Sequence, residues 1–136
     1  MKIKLILAGF AASLMFAMPV MAEEETELGK QMAAMNDAYK AMRRETDPAK
    51  GAALAREAQD AMVKAVTMTP ELVKGLPEAE QPKASAEYRK MMGMLISTLA
   101  DMELAFLDGD MAKVKEIVDK MRESKKQGHD KFMEED

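Results

Sequence analysis

The chain has 136 residues, enough for one domain with a single hydrophobic core. Its formal net charge of −4 disfavours nucleic acid as a partner, because a phosphate backbone repels an acidic surface. The chain has no cysteine, which excludes disulfide bonds, thiolate metal sites and cofactors attached through thioether bonds. Any cofactor must therefore be held by histidine, methionine, carboxylates or packing.

Residues 1–22 have the pattern of a cleaved secretory signal. Two lysines precede a long apolar run, and the run ends at Ala22 with small residues at the positions that a signal peptidase recognises. A retained membrane anchor is the alternative, but the run is short for a bilayer span and contains Pro19. We therefore expect export from a bacterial cytoplasm and a mature domain over residues 23–136. That domain would carry a net charge of about −6 and no membrane anchor.

The mature chain is rich in strong helix formers, and its apolar residues recur at steps of three and four in four segments. The first segment covers about 26–44. The second begins with Asp47 as N-cap and Pro48 at the first helical position, and fades near Thr69. The third covers about 85–107, and the fourth begins with Asp110 as N-cap. The predicted buried stripes comprise Leu28, Met32, Met35, Tyr39, Met42, Leu54, Ala58, Ala61, Met62, Ala65, Val66, Tyr88, Met92, Leu95, Leu99, Met102, Phe106, Met111, Val114, Val118, Met121 and Phe132.

The links between these segments predict the topology. Two are short, whereas the link over about 69–84 contains three prolines and one possible short helical turn closed by Gly75. Four amphipathic helices of matched length with such links favour an all-α, antiparallel up-down-up-down four-helix bundle. The longer link is of the kind that often covers a site.

Met32 and His129 are the candidate ligand pair of this bundle. His129 is the only histidine, and it falls within the apolar arc of the fourth segment. A single histidine near a chain end is more often a surface residue, but the topology brings it to the depth of Met32 on the neighbouring first helix. A thioether paired with an imidazole is suited to a six-coordinate haem iron that transfers electrons.

The mature chain resembles soluble cytochrome b562 over nearly all of its length. The resemblance lies in the opening of the first helix, where Leu28, Met35, Asn36 and Asp37 follow the family spacing around Met32. It continues through Thr69-Pro70, Tyr88-Arg89 and Gly109, and the register from Tyr88 to His129 holds without a gap. Met32 falls on the family's axial methionine and His129 on its axial histidine.

The resemblance implies a periplasmic protein that holds one noncovalent haem b per chain, carries single electrons and has no enzymatic turnover. It further implies that Tyr88, with Leu95 as a second candidate, packs on the porphyrin, since Met92 stands where an aromatic is expected. Lys125 stands where the family has an arginine, and is a candidate partner for a haem propionate. The expected partners are haem and an unidentified redox protein, and the protein is expected to be a monomer.

Two other classes of function stay open. One is a haem-free helical binding or chaperone-like protein of the periplasm, which would keep the apolar stripes without needing Met32 and His129. The other is a methionine-rich copper binder, for which Met91-Met92-Gly93-Met94 is the densest cluster. Core packing explains most methionines on the stripes. No serine, lysine or carboxylate stands in a context typical of a nucleophile or an acid–base pair, so an enzyme is not expected.

Overall fold

The computed structural model describes the backbone of residues 26–135 and the side chains of residues 26–124. Over this range the chain is all-helical, with no strand. The predicted signal peptide, residues 1–22, lies outside the described residues. The elements are α1 (Glu27–Met42), α2 (Pro48–Ala65), the short α3 (Glu71–Lys74), a 3₁₀ turn (Glu78–Glu80), α4 (Gln81–Leu107) and α5 (Met111–Glu135).

The predicted helix starts at Asp47 and Asp110 are confirmed. The Asp47 carboxylate accepts a hydrogen bond from the backbone N–H of Lys50 at 3.4 Å, and Pro48 occupies the first turn of α2. The Asp110 carboxylate accepts from the N–H of Lys113 at 3.0 Å. Each carboxylate satisfies one of the amide groups that a helix start leaves without a partner.

Two predicted boundaries are wrong by about four residues. Helix α4 begins at Gln81 rather than near residue 85, because Pro82 lies in its first turn, where a missing N–H costs no hydrogen bond. Helix α2 ends at Ala65 rather than near Thr69. The short turn predicted before Gly75 is present as α3, capped by the Gly75 N–H, which donates to the Glu71 carbonyl at 3.1 Å.

The tight turn between α4 and α5 depends on Gly109. This residue has φ of +69°, in the left-handed region that side chains disfavour. Its N–H donates to the Phe106 carbonyl, and the Asp110 N–H donates to the Ala105 carbonyl, both at 2.9 Å. This pair of bonds ends α4 and allows α5 to begin after three residues.

The long helices pack side by side in a helical bundle. Helix α2 packs on both α1 and α4, and α4 also packs on α5. Gly51 meets Phe106 near one end of the α2–α4 interface, and the Tyr88 hydroxyl meets the Ala65 carbonyl near the other, so these two helices run in opposite directions. Across the α1–α5 seam, the Tyr39 hydroxyl donates to the Val118 carbonyl at 3.5 Å.

The core of the described bundle is dominated by methionine and alanine. The predicted stripe of α4 is buried throughout. On α5 the prediction is right for Val114, Val118 and Met121 but wrong for Met111, which is 36% exposed, and it missed the buried Ile117. The largest fully buried side chains include Phe106, Met42, Met62, Met92, Leu99 and Met102. Within the described range, no helix is both long and apolar enough to cross a bilayer.

Candidate functional site

Met32 stands at the margin of the core. It lies five residues after the start of α1, or about 7.5 Å along the helix axis. Its side chain is half-buried and packs against the core cluster, whereas Leu28 and Met35 on the same stripe are 6% and 5% exposed. Met32 is therefore the residue of this stripe that core packing does not fully enclose.

The connection between α2 and α4 lies beside the start of α1, as an up-down-up-down order of helices requires. A surface groove brings the two together: Thr26 and Leu28 line it from α1, and Met68, Thr69 and Glu71 line it from the connection. Met68 is half-buried against the core cluster. The end of the bundle that carries Met32 is thus bordered by an ordered, partly apolar connection.

The Gln81 side chain holds this connection in place, a role that the sequence pattern did not predict. Its side-chain amide donates to the backbone carbonyls of Leu76 at 3.0 Å and Lys74 at 3.2 Å. Pro70 and Val73 anchor the connection by burial. A glutamine in the first turn of a helix does not by itself predict such a role. The backbone carbonyls that it binds lie in a segment whose path depends on the tertiary fold.

Tyr88 is buried between α2 and α4. It is 3% exposed, and its hydroxyl donates to the Ala65 carbonyl at 2.7 Å. Burial raises the pKa of Tyr88 to about 12, since the phenolate would be poorly solvated there. The hydroxyl hydrogen is committed to the Ala65 carbonyl, and packing of the Tyr88 ring on a cofactor stays a prediction.

His129 and Lys125 belong to the backbone of α5, but their side chains lie outside the described residues. The described part of α5 turns Val114, Ile117, Val118 and Met121 into the core. The pairing of Met32 with His129, and any contact of Lys125 with a cofactor, stays a prediction.

The methionine cluster of α4 divides between core and surface. Met92 is fully buried, Met91 is half-buried and Met94 is 61% exposed. Helical spacing therefore turns Met92 into the core and leaves Met94 on the surface. Among the residues with described side chains, no group of three or more histidines, cysteines or carboxylates is placed to hold a metal ion.

Comparison with known proteins gives one match. A family model described as cytochrome b562 matches residues 27–133, from the first residue of α1 almost to the end of α5. The match includes the positions of Met32, Tyr88, Lys125 and His129. Neither a search of curated proteins nor a search of solved structures found a match.

Proposed function

Because the chain belongs to the cytochrome b562 family, whose members bind haem b and carry electrons, we propose that it is a periplasmic b-type cytochrome. It would hold one noncovalent haem b with Met32 and His129 as the two axial ligands and transfer single electrons. The observation that carries the proposal is the half-buried Met32 side chain, on the inward stripe of a helix where the family model matches.

The residues present fit such a group. Met32 offers a soft sulfur at the edge of the core, and the helical period places residue 129 about 20° from the buried Val118 around α5. Tyr88, which is buried at the same end of the bundle, would supply an apolar ring, and the connection held by Gln81 borders that end. The absence of cysteine leaves only noncovalent attachment.

In this function the part of the protein is to hold the haem and to keep other ligands from its iron. Bound haem would supply a one-electron iron couple, and the Met32 thioether would favour its reduced state. If Met32 and His129 both hold the haem, its iron would have no position free for a substrate, which supports an electron carrier rather than an enzyme. Lys125, four residues before His129, would face a propionate by charge complementarity.

The fold that serves this site is proposed as an antiparallel up-down-up-down bundle of α1, α2, α4 and α5. The opposed directions of α2 and α4 support it, as do the short links before Pro48 and Met111. The site would then lie where α1 begins and α5 ends. Residues 1–22 are proposed as the export signal, with the mature chain beginning at Glu23 and acting as a monomer in the periplasm.

The test is a visible spectrum of the protein expressed with its signal in a haem-sufficient host. We expect sharp α and β bands on reduction and one haem per chain that acid–butanone extracts. Met32→Leu keeps the side-chain volume but removes the sulfur. This variant and His129→Ala should both lose the low-spin bands.

Met35→Leu is the matched control, since Met35 lies one turn further along the same stripe and is buried in the core. It should keep the low-spin spectrum. A colourless protein that also fails to take up added hemin would refute the cytochrome proposal and leave the haem-free helical binding protein. N-terminal sequencing of the periplasmic fraction checks cleavage before Glu23.

A further inference from the structure

Three cations gather where α1 ends, at the opposite end of that helix from Met32. The side chains of Lys40, Arg43 and Arg44 are exposed and line a shallow surface groove with Ala41. We call these three residues the cationic groove. None of them forms an ion pair within the part of the chain whose side chains are described. By contrast, five other cations pair with an acid one turn away on their own helix: Lys30, Arg56, Lys74, Lys113 and Lys115.

The acids that follow the groove along the chain are engaged in the next turn. The Glu45 carboxylate accepts the backbone N–H groups of Thr46 at 3.2 Å and Asp47 at 3.1 Å. The Asp47 carboxylate caps α2 through the Lys50 N–H. Both carboxylates are thus directed to the backbone of the turn, and neither forms an ion pair with Lys40, Arg43 or Arg44.

Arg43 is held in place without losing its donors. Its guanidinium lies over the Tyr39 ring, 5.8 Å from the ring centroid. A contact of this kind restricts the side chain but leaves its N–H groups free to bind an anion. Cations at a helix end also offset the helix dipole. One lysine in the last turn is enough for that role, whereas here two arginines and a lysine surround one groove.

We propose that the cationic groove docks a carboxylate-rich segment of a partner protein. Arginine recognises carboxylates through paired hydrogen bonds, and two arginines beside a lysine fit a short run of acidic side chains. A compact segment suits the site better than an anionic membrane, because the chain is acidic overall and exposed Asp37 lies nearby on α1. The site lies about 12 to 18 Å along α1 from Met32, so docking there leaves the Met32 end uncovered.

The experiment titrates the isotope-labelled mature protein with a hexaglutamate peptide at low ionic strength and follows the amide signals. We expect shifts centred on residues 40–44 that weaken as salt is added, because exposed charges are screened. The triple variant Lys40→Glu, Arg43→Glu, Arg44→Glu should weaken binding by more than about tenfold. Arg44→Gln alone, which perturbs folding least, should weaken it by about threefold.

The matched control is Lys64→Glu, Lys83→Glu, Lys90→Glu, which changes the net charge equally at three exposed lysines elsewhere. It should bind within about twofold of the parent protein, since local rather than total charge decides docking. Equal loss in both triple variants would overturn the proposal, as would absence of shifts at low salt. Binding to phosphatidylglycerol vesicles without binding to the peptide would also overturn it and assign a membrane surface instead. The haem spectrum is a separate readout, so failure here does not touch the cytochrome proposal.

Discussion

Gly51→Ala and Gly93→Ala are the same substitution in two helices, and the structure predicts opposite effects. A Cβ built on Gly51 would overlap the Phe106 ring, with Cδ1 and Cε1 as its closest contacts and Cγ at 2.6 Å. Phe106 is fully buried, so the ring has no solvent into which to move. A Cβ on Gly93 would meet no atom within 4 Å.

The magnitudes follow from two competing effects. Replacing glycine by alanine inside a helix gains about 0.5–1 kcal/mol through lower backbone entropy in the unfolded chain. Overpacking a core costs about 1–3 kcal/mol. Gly93→Ala should therefore raise the free energy of unfolding by about 0.5–1 kcal/mol. The overlap of a Gly51 Cβ with a fully buried ring puts the cost of Gly51→Ala in the upper half of the overpacking range, at about 2–3 kcal/mol. The net effect should therefore be a loss of about 1–2.5 kcal/mol.

Urea denaturation followed by far-ultraviolet circular dichroism measures both variants, with the slope m checked for constancy. A Gly51→Ala protein at least as stable as the parent would refute the argument that Phe106 requires glycine there. A double-mutant cycle gives the second check. In a Phe106→Leu background the ring is gone, so Gly51→Ala should cost at least about 1 kcal/mol less than in the parent chain.

Three further predictions concern Tyr88 and Gly109. Tyr88→Phe removes the bond to the Ala65 carbonyl and should lower the free energy of unfolding by about 1–2 kcal/mol, measured in urea; a loss below about 0.3 kcal/mol would contradict it. The pKa of Tyr88 lies at about 12 in the folded chain against 10.0 for a free tyrosine, so the folded state holds this proton more tightly. Its contribution to stability should be complete below about pH 10 and be lost as the pH rises towards 12, with alkaline unfolding of the parent and Tyr88→Phe compared by circular dichroism. Gly109→Ala forces a side chain into the left-handed region and should cost about 1–2 kcal/mol, whereas a neutral result would mean that the turn relaxes.

The sequence predicted those parts of the fold that depend on local chemistry. Asp47 and Asp110 are N-caps because a short carboxylate before an apolar period accepts helix amides, whatever the tertiary packing. The apolar period likewise predicted the buried face of α4. Pro82 caused the error in the predicted start of α4. Proline disrupts the interior of a helix, but it fits well in the first turn.

The features of the site that depend on neighbouring elements were not predictable. Met32 and Met35 share one stripe, yet one is half-buried and the other enclosed, which depends on how the adjoining helices meet there. Gln81 binds backbone carbonyls of the α2–α4 connection, whose sequence has no regular apolar period, so no sequence pattern predicts this contact. The availability of Lys40, Arg43 and Arg44 likewise depends on where Glu45 and Asp47 direct their carboxylates.

Oxidation of the methionine side chains in the core would report opening of the helical bundle. Met42, Met62, Met92 and Met102 are fully enclosed, so peroxide reaches their sulfur atoms only when the bundle opens. Each sulfoxide that forms carries a polar oxygen that cannot return to an apolar interior without losing its hydration. An opening would thus leave a lasting chemical change. Because peroxide acts slowly compared with reclosing of the bundle, the rate at which these residues are oxidised reports the fraction of molecules that are open.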